Sequence, residues 1–148
     1  MVRSSIEYAG CLRTRVVHGP SGSVVVTDAP RDNHGLGEAF SPTDLLATSL
    51  ATCMVTVMGI AAQKRSLDID GMTAEVDKHM STEPPRKVAR LVVRVSLVGG
   101  KADALDAEAR AFLEDAGETC PVRLSLSETL TVDTSYAWGA PTPAPGVA

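Results

Sequence analysis

From Leu45 to Ala62 the chain runs eighteen positions without a charge, and the apolar residues there leave almost no polar face. The run opens on helix-start chemistry: Ser41 as N-cap, Pro42 at the first helical position, Thr43 and Asp44 in the first turn. A helix over 41–63, buried on several sides, is predicted. Elsewhere the pattern alternates. Residues 4–18 and 23–28 read as two strands joined through Gly19-Pro20-Ser21-Gly22, with Cys11 a side chain of the first. A polar, glycine-containing loop over 29–40 leads into the central helix, the kind of segment that carries function when a rigid element positions it.

After the helix, 72–80 and the valine-rich 87–98 read as strands around the turn Ser81–Pro85. Residues 102–117 place Leu105, Ala109, Phe112 and Leu113 on one face of an amphipathic helix ended by Gly117. A short helical turn opens at Cys120-Pro121, and 129–136 reads as a closing strand. The order ββα-ββα-α-β predicts an α+β fold with mainly antiparallel sheets. The two ββα passages share a layout but no sequence repeat. One domain over 1–136 is expected, with 137–148, rich in proline and glycine, as a disordered tail.

Composition narrows the function. Hydrophobic residues make up 44% and charged residues 22%, as in ordinary globular proteins, and aromatics only 3%. The net charge is −4, with no basic run and no aromatic platform, so nucleic acid is not an expected partner. The apolar run touches the lower length limit of a membrane span, but Thr, Ser and Gly dilute it and no flanking basic cluster supports it. A core helix, and no membrane partner, is expected. Arg3, Glu7 and Arg13 interrupt any leader-like apolar run, which points to the cytoplasm. There thiols stay reduced, so Cys11, Cys53 and Cys120 read as buried or reactive, not as bridges.

Metal chemistry lacks a ligand set, since His18, His34 and His79 are scattered, and neither a phosphate loop nor a nucleophile elbow occurs. No metal or cofactor is expected. The thiols remain. Cys120 before Pro121 should sit at a helix N-terminus, where unpaired N–H groups and the helix dipole favour a thiolate. Cys53, twelve residues into its helix, has no such help and needs a cation, for which Arg13, Arg15 and Arg31 are candidates.

The surroundings of these cysteines are specific. Ser41-Pro42-x-x-Leu45-Leu46, then Ser49-Leu50-Ala51-Thr52-Cys53, with Cys120-Pro121-Val122 some 67 residues later, resemble the OsmC/Ohr family of osmotically inducible and organic hydroperoxide resistance proteins. The likeness spans roughly 5–135 and leans to the broad OsmC-like branch. It implies an intertwined homodimer with antiparallel sheets around a long buried central helix and active sites at the subunit interface. It also implies a thiol peroxidase acting on small organic hydroperoxides, with Cys53 as peroxidatic and Cys120 as resolving cysteine. A dithiol or lipoyl-type reductant would reopen the disulfide. In the family an arginine holds the thiolate and a glutamate orients it. Arg31 matches the loop arginine of the OsmC branch, and Arg13 and Arg15 fit the hairpin placement of the Ohr branch. The family's glutamate position is Thr43 here, which leaves Asp44 or Glu38 as substitutes. That departure keeps an alternative in play: a non-catalytic relative binding a small apolar or electrophilic ligand at the dimer interface.

Overall fold

A computed structural model describes residues 1–139. The chain divides into two compact units, Met1–Leu46 and Ala47 onward, and each is described by itself.

The first unit is a three-stranded antiparallel sheet, β1 (Ser4–Gly10), β2 (Arg13–His18) and β3 (Val24–Asp28), in that order. The span 4–18, expected as one strand, is therefore two. They meet in a turn where Gly10, Cys11 and Leu12 all have positive φ (86°, 49° and 61°). Two non-glycine residues in the left-handed region give no sequence cue to a turn. The Tyr8 hydroxyl accepts from the Leu12 amide at 3.2 Å, which helps hold it. Cys11 thus sits exposed in the turn rather than in a strand. The expected β2–β3 turn does form, with Gly22 donating to the His18 carbonyl at 2.8 Å.

The loop after β3 folds back on itself around a 3-10 turn at Arg31–Asn33. Gly37 donates to the Ala29 carbonyl at 3.2 Å, and a Cβ on Gly35 would lie 1.6 Å from that same oxygen, so only glycine fits there. The first turn of α1 (Pro42–Lys64) completes this unit. Ser41 Oγ accepts from the Asp44 amide at 3.1 Å while Asp44 Oδ2 accepts from the Ser41 amide at 2.8 Å. This reciprocal capping box fixes the start of the helix.

The second unit holds the rest of α1 and a sheet ordered β4 (Thr73–Met80), β5 (Val88–Val98), β6 (Thr131–Gly139). β4 and β5 pair antiparallel, whereas β5 and β6 run parallel. A parallel neighbour needs a crossover. Three helices supply it: α2 (Gly100–Asp103), α3 (Ala107–Glu118) and α4 (Pro121–Leu124). The helix expected over 102–117 is broken, because Asp106 is extended and its side chain caps α3 by accepting from the Ala109 amide at 2.8 Å. Of the expected tail, Ala137–Gly139 belong to β6, and the remainder lies outside the described residues.

The core sits between α1, β5 and α3. Along β5 burial alternates, with Leu91, Val93, Val95 and Leu97 inward. From α1 come Leu50, Met54 and Met58, all fully buried, and from α3 Leu113. Each such side chain contributes about 1.5–3 kcal/mol on burial. Within the single chain, α1 buries mainly one face. One stripe, Ala47–Leu50–Ala51–Met54–Met58–Ala61–Ala62, is buried, while Leu46 and Ile60 on other faces remain 37% and 49% exposed. By length and composition α1 could also cross a membrane, but its buried stripe belongs to this core.

Candidate functional site

The second unit brings Cys53 and Cys120 together. Cys53 projects from the middle of α1 and is half-buried; Cys120 is the N-cap of α4 and is 0% exposed. Both are free thiols, and they lie close enough that Cys53 bears on the ionisation of Cys120. Cys120 Sγ also accepts from the Arg123 amide at 3.4 Å, the capping contact expected of a residue just before a helical proline. The electrostatic consequence is the reverse of the one expected. Burial, the largest cause, pushes the Cys120 thiol above its ordinary range, and the proximity of Cys53 pushes the same way, while the Arg123 and Val122 amides oppose them. One turn of helix offers too little dipole to offset a dry site. Cys120 is thus held as a neutral thiol near the Cys53 sulfur.

The charged candidates lie in the first unit. Arg13, facing Asp28 across the β2–β3 pair, binds Glu38 from the loop through Nη2 and stands 3.6 Å from Asp28 Oδ2. Asp28 is fully buried and accepts from the Glu38 amide at 2.9 Å. That backbone hydrogen bond, with Arg13 nearby, holds its carboxyl below the usual range despite burial. Asp28, Arg13 and Glu38 therefore form one cluster that ties the sheet to the loop.

Arg31 instead donates through Nε to the Leu36 carbonyl at 3.1 Å, inside its own loop. Arg15 is exposed on β2, opposite Glu7 and Val26 in register. Asp44 is engaged in the capping box. Among the candidates, the guanidinium that a carboxylate orients is that of Arg13, and the carboxylate is that of Glu38. Asp28 was missed by the sequence reading. Its only signal was an acidic residue closing the apolar strand of 23–28, just before a Pro- and Gly-containing loop. Among the described residues no group of three His, Cys, Asp or Glu is disposed to hold a metal.

The OsmC-like protein family matches residues 35–135, which contain both cysteines and both of their motifs. A Psychrobacter arcticus protein named for osmotic stress induction and a detoxification response is similar in structure at TM-score 0.84, with 41% identity, covering 92% of this chain and 96% of that one. A Legionella pneumophila organic hydroperoxide resistance protein OsmC has the same fold at TM-score 0.69 and 19% identity, covering 93% and 96%. An organic hydroperoxide resistance protein from Elizabethkingia anophelis aligns at TM-score 0.72 and 11% identity, covering 95% and 96%. No curated protein matches the chain.

Proposed function

This chain belongs to the OsmC-like protein family, and from that premise we propose that it is a thiol-dependent peroxidase reducing small organic hydroperoxides. The observation that carries the proposal is the proximity of two free thiols of unequal access, Cys53 half-buried and Cys120 buried. The more accessible sulfur meets the peroxide. The Cys53 thiolate attacks the hydroperoxide: an S–O bond forms, the O–O bond breaks, and the alkoxide takes up a proton and leaves as the alcohol. Cys53 is then a sulfenic acid. The Cys120 sulfur displaces its oxygen, which departs as water after taking up protons, and a Cys53–Cys120 disulfide remains. A dithiol or lipoyl-type reductant returns both thiols. The apolar core against which the pair packs, Leu50, Met54 and Met58 among its members, suits alkyl peroxides better than hydrogen peroxide.

Cys120 fits the resolving role because it stays protonated until needed. A thiolate beside Cys53 would repel the nucleophile it is meant to serve. Arg13, carried by Glu38 and Asp28, is the arginine we assign to thiolate activation in preference to Arg31. The cytoplasm, where such a pair rests reduced, is the compartment that suits this cycle. A homodimer completes the reading. It would cover Ile6 and Tyr8, which are 65% and 66% exposed on the first sheet, and Ile60, which is 49% exposed on α1.

One feature favours a non-catalytic reading. A groove of about 440 Å³ between α1 and β4, lined by Thr48, Ala51, Thr52, Val55, Thr56 and Val76 among others, could hold a small apolar ligand without chemistry. One experiment separates the two. Purified protein receives one equivalent of cumene hydroperoxide, and its thiols are counted by mass spectrometry. The parent should lose two thiols to an internal disulfide. Cys120→Ser should consume the peroxide and stop at oxidised Cys53, Cys53→Ser should consume none, and Cys11→Ser should match the parent. No consumption by the parent would refute the peroxidase.

A further inference from the structure

α4 is a single turn of helix, and none of its four residues is buried. A turn so short does not stand by itself, yet it sets the direction of the Cys120 sulfur. What holds it is polar. Glu118, the last residue of α3, lies two positions before Cys120, and Arg123 lies three after it. Arg123 Nη2 meets Glu118 Oε2 at 2.8 Å, while the Arg123 amide donates to Cys120 Sγ at 3.4 Å. Arg123 therefore grips the cysteine with its backbone and the preceding helix with its side chain. Its Nη1 is buried with no hydrogen-bond partner, a cost that a surface arginine free to turn toward water would avoid.

The other end of the grip is on β6. The Tyr136 hydroxyl donates to Glu118 Oε1 at 2.9 Å, and Trp138 Nε1 donates to Glu114 Oε1 at 2.7 Å. Glu114 and Glu118 are four apart on one face of α3, and Tyr136 and Trp138 are two apart on one face of β6, so both periodicities meet in register. Gly117 makes room for this. A Cβ there would lie 3.2 Å from both the Tyr136 hydroxyl and Met58 Sδ. Burial and the adjacent Glu118 carboxylate keep the Tyr136 phenol protonated well above its ordinary range, so it remains a donor throughout the pH range in which the protein works.

We propose that Arg123, Glu118 and Tyr136 form a clamp that positions Cys120 for disulfide formation with Cys53. These are positioning residues: they act through Cys120 and set the frequency with which two sulfurs meet along the S–S axis. The inference rests on the thiol-pair reading above, but its primary test needs no peroxide. The Cys53–Cys120 pair is equilibrated in glutathione redox buffers, where protein dithiol plus oxidised glutathione gives protein disulfide plus two reduced glutathiones. The disulfide fraction then reports the effective concentration of one thiol at the other.

Arg123→Met and Glu118→Gln should each lower that effective concentration at least tenfold. Arg123→Lys, which keeps the charge, should recover part of the loss. Tyr136→Phe, the variant least able to disturb folding, should lower it about threefold. In single turnovers with cumene hydroperoxide, peroxide consumption should stay within twofold of the parent while the Cys53 sulfenic acid persists at least tenfold longer in Arg123→Met. Parent-like effective concentration in both Arg123→Met and Tyr136→Phe would overturn the clamp. So would a loss in Arg123→Met that Arg123→Lys fails to recover. A parent that consumes no peroxide yet shows the glutathione effects would refute the peroxidase and leave the clamp standing.

Discussion

The resolving step should be slow at neutral pH and accelerate steeply with alkalinity, because its nucleophile is the buried thiol. Cys120 is 0% exposed, and its pKa is raised first of all by that burial. An ordinary thiol near 8.5 is about 3% ionised at pH 7, so a raised one is ionised less than that. When Cys53 becomes a sulfenic acid its contribution to the shift changes, but the burial remains. The sign follows directly: a raised pKa leaves the thiolate scarce below it, and the scarcity eases about tenfold per pH unit until the pKa is passed. Disulfide formation should therefore climb roughly a hundredfold between pH 7 and 9. The assay oxidises the protein with one equivalent of cumene hydroperoxide, quenches with acid at intervals, and measures sulfenic acid and disulfide by mass spectrometry. Consumption of peroxide, followed separately, reports Cys53 and need not share the profile. A disulfide rate that levels off below pH 8 would refute the reasoning, since it would mean that Cys120 ionises as easily as an exposed thiol.

Two further outcomes are expected. If Arg13 is the activating arginine, Arg13→Ala should slow alkylation of Cys53 at pH 7 by about tenfold or more, whereas Arg31→Ala should slow it less than twofold; the reverse ranking would return the role to the loop. Sedimentation at micromolar concentration should give a dimer, with an interface above about 2,000 Å² in total, and a monomer would refute the homodimer and leave Ile6, Tyr8 and Ile60 exposed.

What could be read from the chain was whatever has a local cause. The start of α1 was legible because its capping residues are four neighbours, and β5 because burial on one face forces alternation. The boundary between β1 and β2 was not, because Cys11 and Leu12 adopt a left-handed turn that their side chains do not advertise. The flanking motifs singled out Cys53 and Cys120, but neither their proximity nor the state of Cys120 was legible. Its position at a helix start is a local fact; its burial is a tertiary one, and the tertiary effect is the larger. Asp28 was invisible for the same reason: its partners, Arg13 and Glu38, stand fifteen and ten positions away. The single helix expected over 102–117 failed on a residue that was legible after all, Asp106, which is as good a cap as any in the chain.

The two sulfurs that meet across α1 and α4 are 67 residues apart in sequence, and the segment between them contains β4, β5, α2 and α3. A bond between them would enclose most of the second unit's core within one covalent ring. For a ring of that length the loss of freedom in the unfolded chain corresponds to about 4 kcal/mol of added stability, a large share of what holds a domain of this size together. The oxidised molecule would then be the durable one, resisting unfolding and the proteases that wait for it, and the reduced molecule the one more readily cleared. In a cell short of reducing power, such a protein would accumulate in its spent form without any change in synthesis, and its abundance would itself record how long the shortage had lasted.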